Sequence, residues 1–398
     1  MRILEISDFQ KTGGASIAAS RITQSIKDHG HQVLRSSSDS LDPNFVFFQG
    51  RKAFFLNYTL DKIGLHNLRS KVLKKDVLKQ FQRIAEETKP DCILFHNLHG
   101  AGWPQEMVLQ AAKSFPTSWT LHDCSSFLSA YYPSHCSSPA RKTLSECKNF
   151  WDSIERSKTV FPLHAVTPSN WLKKEAISSY WTENSVVTIH NPVPDSFFEP
   201  KDSYSCKKAL RLNPEKSVVL VVAGNLKEER KGGRVIKELI SSFSCQNVQL
   251  LLAGGGFQEG DFELENIKCL GIVKDEVTLQ IAYHAADLLF HPAPVDNLPN
   301  TVAEAMSCGT PVLAFQTGGL PEMIIDGETG WLVSKIDSSS ILKTLKEIIS
   351  APIGSNFGEA SRAQAKRLFD SKTIGKKYVD HLSKLIFRES EISQKNRK

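Results

Sequence analysis

The segment DNLPNTVAEAMSCGTPVLAF, residues 296–315, runs from a polar loop into a helix and then into an apolar strand. We expect the helix to end at Cys308-Gly309, because glycine commonly follows the last turn of a helix. The apolar run DLLFHPA, residues 287–293, precedes this segment and is typical of a buried strand. A strand, a helix and a second strand in this order predict a parallel βαβ unit.

The same alternation of short apolar runs and helical patterns extends over the whole chain. It predicts an α/β fold with two Rossmann-like, doubly wound parallel sheets, because connecting helices cover parallel strands on both faces. The expected strands of the first half are RILEIS, HQVL, DCILFH, SWTLHD, HAVTP and SVVTIHNP, and those of the second half are SVVLVVAGN, VQLLLAGGG, IKCLGIV, DLLFHPA, PVLAF and GWLVS.

The domain boundary is expected in HNPVPDSFFEPKDSYSC, where prolines and polar residues interrupt both periodicities. This places an N-terminal domain at residues 1–190 and a C-terminal domain at residues 191–365. Residues 366–398 return to a helical pattern and end in a charged tail, and we expect this segment to pack back toward the N-terminal domain.

Four loops that follow expected strands carry the candidate functional residues: SDFQKTGGAS, HDCSSF, GNLKEERKGG and HPAPVDNLPN. Ligands of open α/β sheets bind at the carboxyl ends of the strands. If the two sheets face a central cleft, all four loops border it.

The composition is that of a globular protein, with 398 residues of which 40% are hydrophobic and 23% charged. This length accommodates two domains with a core each. The first residues, MRILEISDFQ, lack the features of a signal peptide, and no apolar run approaches the roughly 20 residues of a membrane span. We therefore expect a cytoplasmic protein whose eight cysteines are reduced thiols.

The sequence does not indicate a metal site. Cys124, His135, Cys136 and Cys147 cluster loosely, but their spacing fits no pattern of zinc ligands. The chain also contains no Asp-x-Asp pair, which would indicate a metal-held nucleoside diphosphate. Helix N-termini and basic side chains would have to neutralise a diphosphate instead.

Two carboxylates flank the start of the helix in the segment 296–315. The free N–H groups at this helix end suit a phosphate. Glu304, about one turn into the helix, suits a vicinal diol such as a ribose, and Asp296 suits the hydroxyls of a sugar. The alternative is a capping aspartate and a solvated glutamate.

Basic and glycine residues follow two other strands. Arg230 and Lys231 precede Gly232-Gly233 and suit a diphosphate, although the same residues would also form an ordinary charged surface turn. Gly13 and Gly14 would allow a substrate or phosphate to approach the first helix, although a plain glycine turn is the commoner explanation.

His122 follows the strand SWTL, in a position favoured for a polar group that faces a ligand. A single histidine is more often structural, and His96, His99 and His164 are expected to be so.

Taken together, these motifs resemble those of the retaining glycosyltransferases with the GT-B fold, a large family that includes many capsule, exopolysaccharide and lipopolysaccharide enzymes. The resemblance spans nearly the whole chain, from TGGAS and TLHD through PSNWL, HNPV, RKGG and LGIV to DNLPNTVAEAMSCGTPVLAF, TGGLPEMI and DGETGWLV. HNLHG and TLHDC are also similar to the branch labelled colanic acid biosynthesis glycosyltransferases. The resemblance implies two Rossmann-like domains that face a central cleft.

The resemblance also implies roles for the segment 296–315. In this family a carboxylate-x7-Glu motif holds the donor, and here it reads Asp296-x7-Glu304. Asp296 would contact the transferred sugar, the backbone amides of Asn297 and Leu298 would lie beside it, and Glu304 would bind the ribose. The first motif position is Asp rather than the commoner Glu.

For the donor pyrophosphate, the resemblance implies a basic pair. Lys231 matches the lysine of that pair, whereas Asn225 occupies the position of the arginine. Arg230 is a candidate to replace it. His122 matches the histidine that lies close to the donor sugar.

The implied reaction transfers a sugar from a nucleoside diphosphate sugar to an acceptor hydroxyl with retention at the anomeric carbon, in cell-surface polysaccharide or lipopolysaccharide biosynthesis. No metal and no cofactor besides the donor is expected. The alternatives are a nucleotide-sugar epimerase or a phosphorylase on the same fold, and a non-catalytic nucleotide-sugar-binding protein. A nicotinamide dehydrogenase is disfavoured because no GxGxxG follows a first strand.

The formal charge of +6 comes entirely from the first half: residues 1–190 contain 23 Lys and Arg against 17 Asp and Glu, and residues 191–398 contain 26 of each. A helical pattern at residues 67–84 adds basic residues opposite the apolar side chains of Leu68, Val72, Leu73, Val77, Phe81 and Ile84. This pattern suggests peripheral attachment to an anionic membrane that carries a lipid-linked acceptor. The alternative is an ordinary helix that packs on the core. No contact with nucleic acid is expected.

Overall fold

The computed structural model describes residues 1–10, 12–39, 66–128, 151–152, 163–243, 247–258, 261 and 266–395, without the side chains of 66–73 and 388–395. The chain divides into two compact units. The N-terminal unit comprises Met1–Pro168, Leu172–Ile189 and Lys372–Lys398, and the C-terminal unit comprises Ser169–Trp171 and His190–Ser371.

The described residues form strands and helices in alternation. The strands are β1 (Arg2–Ile6), β2 (Gln32–Ser36), β3 (Cys92–Phe95), β4 (Thr117–Thr120), β5 (Leu163–Thr167), β6 (Val186–Thr188), β7 (Ser217–Asn225), β8 (Val248–Gly255), β9 (Ile267–Gly271), β10 (Leu288–His291), β11 (Val312–Phe315) and β12 (Gly330–Val333). The helices are α1 (Gly14–Asp28), α2 (His66–Thr88), α3 (Glu106–Ala112), α4 (Ser125–Leu128), α5 (Asn170–Ile177), α6 (Ser203–Ala209), α7 (Gly233–Ser242), α8 (Glu276–Ala285), α9 (Asn300–Cys308), α10 (Leu320–Met323), α11 (Ser338–Ile348), α12 (Ser355–Phe369) and α13 (Ser371–Lys395).

Each unit contains one six-stranded parallel sheet. The strand order is β2-β1-β3-β4-β5-β6 in the N-terminal unit and β12-β11-β10-β7-β8-β9 in the C-terminal unit. Counted from β7 as the first strand, the second order is 3-2-1-4-5-6, the order of dinucleotide-binding folds. The predicted α/β fold with two Rossmann-like parallel sheets is therefore confirmed.

Strand β7 shows how helices cover the second sheet on both faces. Successive side chains of a strand point to opposite faces. Val218 and Leu220 accordingly lie in one core cluster with residues of α8, α9 and α12, whereas Val219 and Val221 lie in another with residues of α7 and α11. This double burial explains why the strand is an almost continuous apolar run.

The C-terminal helix α13 belongs to the N-terminal unit. Ile374, Tyr378, Leu382 and Leu385 recur every three or four residues, so that they line one face of the helix. All four are buried in one cluster with strand residues of the first sheet. The structure assigns residues from Lys372 on to this unit, whereas the sequence pattern places the boundary at residue 366. Helix α12 remains with the C-terminal unit.

Helix α2 contains the basic, amphipathic pattern noted above. Its residues Val77, Phe81 and Ile84 are between 1% and 4% exposed. These three residues belong to the core, which agrees with the alternative that this is an ordinary helix packed on the core. The side chains of Leu68, Val72 and Leu73 lie outside the described residues. In the described part of the chain, no helix combines the length and the apolar composition that crossing a membrane requires.

Only one member of the loose cysteine and histidine cluster is described. Cys124 is fully buried, and His135, Cys136 and Cys147 lie outside the described residues. Among the residues that are described, no three His, Cys, Asp or Glu side chains are grouped so that they could hold a metal ion.

Candidate functional site

The topology of the C-terminal unit places a candidate site at the adjoining ends of β7 and β10. These strands are neighbours in the sheet, and the strand order reverses between them. Such a reversal leaves a crevice outside the carboxyl ends of the two strands. The loop after β7 passes through a helical turn at Glu229–Lys231 into α7, and the loop after β10 leads into α9.

The two loops are joined by an ion pair between Lys231 and Asp296. The Nζ atom of Lys231 lies 2.5 Å from Oδ2 of Asp296, and Nε2 of His291 lies 3.6 Å from the same oxygen. The Asp296 side chain is 6% exposed and that of Lys231 is 22% exposed. Burial alone would raise the pKa of Asp296, but Lys231 and His291 lower it below its ordinary value. Asp296 is therefore a carboxylate at physiological pH.

Glycine residues allow the loops to lie this close together. Gly232 has a φ of +83°, and a Cβ atom there would collide with the backbone of Pro292. The loop after β11 approaches the Asp296 segment in the same way, because a Cβ on Gly318 or Gly319 would overlap the carbonyl oxygens of Asp296 or Asn297. Gly232, Gly318 and Gly319 thus allow the close backbone contacts that position Asp296.

Asn297 and Leu298 fix the loop between Asp296 and α9. The backbone N–H of Asn297 donates to Oδ1 of Asp296 at 3.0 Å, and its side-chain oxygen accepts from Oγ of Ser169 at 2.5 Å. Leu298 is buried in the core beneath the helix. Backbone contact with a sugar, which the sequence suggested for these two residues, remains a prediction.

Glu304 lies inside α9 and faces the interior of the unit. It is 4% exposed, and the hydroxyl of Tyr283 on α8 donates to its Oε2 at 2.8 Å. Pro299 precedes the helix, and in the described structure no side chain caps this end. The alternative of a capping aspartate and a solvated glutamate is therefore wrong for Asp296 and Glu304.

The side chain of Arg230 pairs with a carboxylate of its own loop. Its Nε lies 2.9 Å from a carboxylate oxygen of Glu228. Asn225, at the position where the resemblance implies an arginine, accepts the N–H of Lys227 at 3.0 Å through its side chain and so closes the turn after β7. Of Arg230 and Lys231, it is Lys231 that the structure places against Asp296.

The remaining predicted site residues lie in the N-terminal unit. Gly13, with a φ of +88°, directly precedes α1, and Gly14 is the first residue of that helix. His122 follows β4, and its Nε2 lies 2.9 Å from Nδ1 of His96. Burial, together with the charges of His99 and Arg35, lowers the pKa of His122 to about 3. The imidazole is therefore neutral at physiological pH.

Several residues of these groups were missed by sequence reasoning. His291 and Tyr283 contact the two predicted carboxylates, and Ser169 contacts Asn297. Only His291 had a signal, since it ends a strand at the edge where ligands bind. Tyr283 and Ser169 come from segments 21 and 128 residues away from their partners, a proximity that no local pattern reports.

The C-terminal unit contains a recognised family signature. Residues 217–351 match the family described as glycosyl transferases group 1. This segment includes β7, Lys231, Asp296 and Glu304. The match concerns this segment of the chain, whereas the two-sheet architecture is compared below with solved structures.

Individual proteins with similar sequences or structures are glycosyltransferases and a synthase. The D-inositol 3-phosphate glycosyltransferase of Mycobacterium marinum is 28% identical over 206 residues, which cover 48% of this chain and 43% of the relative. The chain thus spans somewhat less than half the length of this relative.

Two solved structures show the fold over almost the entire chain. Sucrose-phosphate synthase from Thermosynechococcus elongatus has a TM-score of 0.75 at 17% identity and covers 98% of this chain and 100% of its own. HepE from Anabaena, in complex with UDP-glucose, has a TM-score of 0.68 at 19% identity and covers 96% and 100%.

Proposed function

We propose that the protein is a glycosyltransferase that moves a sugar from a nucleoside diphosphate sugar to an acceptor hydroxyl. The observation that carries this proposal is the meeting of Lys231 and Asp296 at the strand-order reversal, beside the N-terminus of α9. The similarity of residues 217–351 to group 1 glycosyltransferases supports the same conclusion.

The donor would lie along the edge formed by β7, β10 and α9. Lys231 and the N–H groups at the start of α9 supply positive charge for the diphosphate. Asp296 accepts hydroxyls of the transferred sugar, and Glu304, oriented by Tyr283, accepts the two hydroxyls of the ribose. On donor binding, the Lys231 amine is shared between Asp296 and a phosphate oxygen.

We further propose that the reaction retains the configuration at the anomeric carbon. The bond from this carbon to the phosphate oxygen breaks, and a bond to the acceptor oxygen forms on the same face. The proton of the acceptor hydroxyl passes to the departing diphosphate, whose charge Lys231 and α9 stabilise. In this proposal neither a metal nor a cofactor besides the donor is required, and His122 is a catalytic residue.

The acceptor would bind through the N-terminal unit, with Gly13 and Gly14 at the edge of its sheet. The excess positive charge of residues 1–190 suits an anionic membrane surface with a lipid-linked acceptor. Biosynthesis of a cell-surface polysaccharide or lipopolysaccharide, on the cytoplasmic side of the membrane, fits this chemistry.

Product analysis with UDP-, GDP- and ADP-sugars tests the proposed activity. We expect one nucleotide class to give slow donor hydrolysis, and transfer when a crude lipid extract is added. Lys231→Ala and Glu304→Gln should each lower turnover roughly 10- to 100-fold, because a charge-assisted contact contributes about 1.5–3 kcal/mol.

Lys237→Ala is the matched control, since Lys237 is an exposed lysine on the helix that follows Lys231. Its turnover should equal that of the wild type. Unchanged turnover in Lys231→Ala, or no reaction of any nucleotide sugar, would count against the proposed activity.

A non-catalytic nucleotide-sugar-binding protein is the second candidate. Two contacts favour it. Arg230 is paired with Glu228, and Asn225 closes a turn at the position where the resemblance implies an arginine, so that less positive charge is available for a diphosphate. Tight donor binding without hydrolysis or transfer would identify this function. An epimerase would instead convert the free donor without any acceptor, which the same product analysis detects.

A further inference from the structure

A row of polar side chains crosses one face of the first sheet near the carboxyl ends of its strands. Glu5 on β1 is paired in register with Arg35 on β2 and with Leu94 on β3. His96 lies two residues after Leu94 and therefore on the same face. His122 lies two residues after the end of β4, the strand beside β3.

The four side chains are in contact in the order Arg35, Glu5, His96 and His122. Nε of Arg35 lies 2.9 Å from Oε1 of Glu5, and Nε2 of His96 lies 3.7 Å from the same oxygen. On the other side of the ring, Nδ1 of His96 lies 2.9 Å from Nε2 of His122. Glu5 and His96 are fully buried. His96 thus bridges a buried carboxyl group and the histidine predicted to lie beside the donor sugar.

Two hydrogen bonds fix the backbone of His96 at the end of β3. Its N–H donates to the carbonyl of Ile6 at 2.8 Å, and its carbonyl accepts from Nε1 of Trp119 at 3.0 Å. The rings of His96 and His122 are stacked at 25° with centroids 5.2 Å apart. Ring rotation would turn carbon atoms toward both partners, whereas this orientation directs Nε2 at Glu5 and Nδ1 at His122.

The position of the single proton on each neutral ring follows from these contacts. Burial lowers the pKa of His96 well below its ordinary value, so the ring carries one proton. The negative charge of an ionised Glu5, 3.7 Å from Nε2 of His96, favours the proton on that nitrogen electrostatically. Nδ1 of His96 is then an acceptor, and Nε2 of His122 must be the donor.

We propose that Glu5 and His96 are positioning residues that hold His122 in the tautomer protonated at Nε2, with the lone pair on Nδ1. The use of that nitrogen in catalysis rests on the proposed function. The tautomer does not, since it follows from contacts within the N-terminal unit.

Nitrogen NMR of the full chain, labelled with ¹⁵N-histidine, tests the tautomer without any substrate. At pH 8.5, where Glu5 is ionised, we expect the His122 signals to show a protonated Nε2 and an unprotonated Nδ1. A His122→Asn variant assigns these signals by their loss. A wild-type His122 protonated at Nδ1, or an even mixture of tautomers, would overturn the proposal.

Two substitutions test whether Glu5 and His96 cause this preference. Glu5→Gln preserves shape but lets an amide donate to His96, so that His122 should become a mixture of tautomers. His96→Phe retains a ring but removes the acceptor, so that the Nε2 resonance of His122 should shift. Tyr378→Phe is the matched control, because Tyr378 is fully buried on the same face and its hydroxyl faces Thr120 at 3.4 Å. His122 signals that are identical in the wild type and both test variants would overturn the proposal.

Kinetics separate this inference from the proposed activity. With a donor that the wild type hydrolyses, Glu5→Gln should lower kcat roughly 10-fold, in line with residues that orient a functional histidine, and leave KM within about twofold. An unchanged kcat despite an altered tautomer would refute the role in positioning. If no donor is hydrolysed, the proposed activity fails, while the NMR result still decides the tautomer.

Discussion

Tyr283 orients Glu304 by a hydrogen bond that no sequence motif indicates. The hydroxyl is buried, and its acceptor is a carboxylate oxygen at 2.8 Å. A carboxylate that loses such a donor gains rotamer freedom and must be reordered when a ligand binds. Glu304 therefore depends on a residue of the neighbouring helix α8 for its geometry.

Tyr283→Phe should weaken binding of the nucleotide donor about tenfold, which corresponds to one charge-assisted hydrogen bond. Isothermal titration calorimetry measures this change. The control is Tyr378→Phe, which removes a buried hydroxyl in the N-terminal unit and should leave the affinity unchanged. Equal affinities of wild type and Tyr283→Phe would show that Glu304 does not need this contact for binding.

The raised pKa of Glu5 predicts that the free energy of unfolding falls as the pH rises. Burial raises its pKa from 4.5 to about 7, although Arg35 and Lys27 oppose the shift. The folded state thus holds this proton more tightly than the unfolded state. The resulting stabilisation is complete below pH 4.5 and is lost as the pH rises through 7.

Urea unfolding at pH 5 and pH 8 measures this effect. The wild type should lose up to about 3 kcal/mol of stability from this group between the two pH values, and Glu5→Gln should lose less. The difference between the two proteins isolates Glu5 from other titrating groups. Parallel pH profiles for wild type and variant would mean that the pKa of Glu5 is not raised.

Individual contacts were the part of the site that the sequence could not predict. Asp296, Glu304 and Lys231 stand in recognisable local patterns, whereas His291, Tyr283 and Ser169 have roles only through proximity in the fold. His96 was expected to be structural, and the structure places it against His122. Such pairings depend on strand order and register, which a single sequence does not determine.

At the level of elements, the strands were predicted well because buried parallel strands are short, apolar runs between polar turns. Strand β8 is a clear case, since the run VQLLLAGG is buried almost throughout. Prolines and polar residues interrupt both periodicities at residues 190–206, and α6 begins within this segment at Ser203. Asp202 caps that helix by accepting the N–H of Ser205, a short-range signal that the prolines obscured.

We expect the turn before α10 to fix the position of the loop that contains Asp296. Gly319 donates its N–H to the carbonyl of Asp296 at 3.1 Å, and a Cβ there would overlap the carbonyl oxygen of Asn297. Gly319→Ala should push this loop away and abolish detectable donor binding, while circular dichroism still shows a folded protein.

Gly327→Ala is the control for the Gly319 substitution. Gly327 has a φ of +77° with no neighbouring atom within 4 Å, so alanine there adds backbone strain without a collision. We expect it to lower the melting temperature and to retain donor binding. Donor binding by Gly319→Ala equal to that of the control would show that the turn does not position Asp296.

At the scale of the whole molecule, the uneven charge predicts binding to an anionic surface. Residues 1–190 contain 23 basic and 17 acidic residues, but the buried face of α2 argues against insertion of Val77, Phe81 and Ile84. Attachment should therefore be electrostatic and screened by salt.

Cosedimentation with anionic liposomes tests this attachment. We expect the protein to sediment with them at about 50 mM salt, to be released at about 0.5 M salt, and not to sediment with neutral liposomes. A protein that fails to sediment at low salt, or that remains bound at high salt, contradicts electrostatic attachment.

Calorimetric titration with UDP, GDP and ADP, each compared with its monophosphate, tests most directly whether the site at β7 and β10 binds a nucleoside diphosphate. For one base we expect the diphosphate to bind at least about tenfold more tightly than the monophosphate, because Lys231 and the N-terminus of α9 contact the second phosphate. Lys231→Ala should remove most of that difference, and Lys237→Ala should preserve it. Equal binding of diphosphate and monophosphate by the wild type, or the same preference in Lys231→Ala, would contradict a diphosphate site at this position.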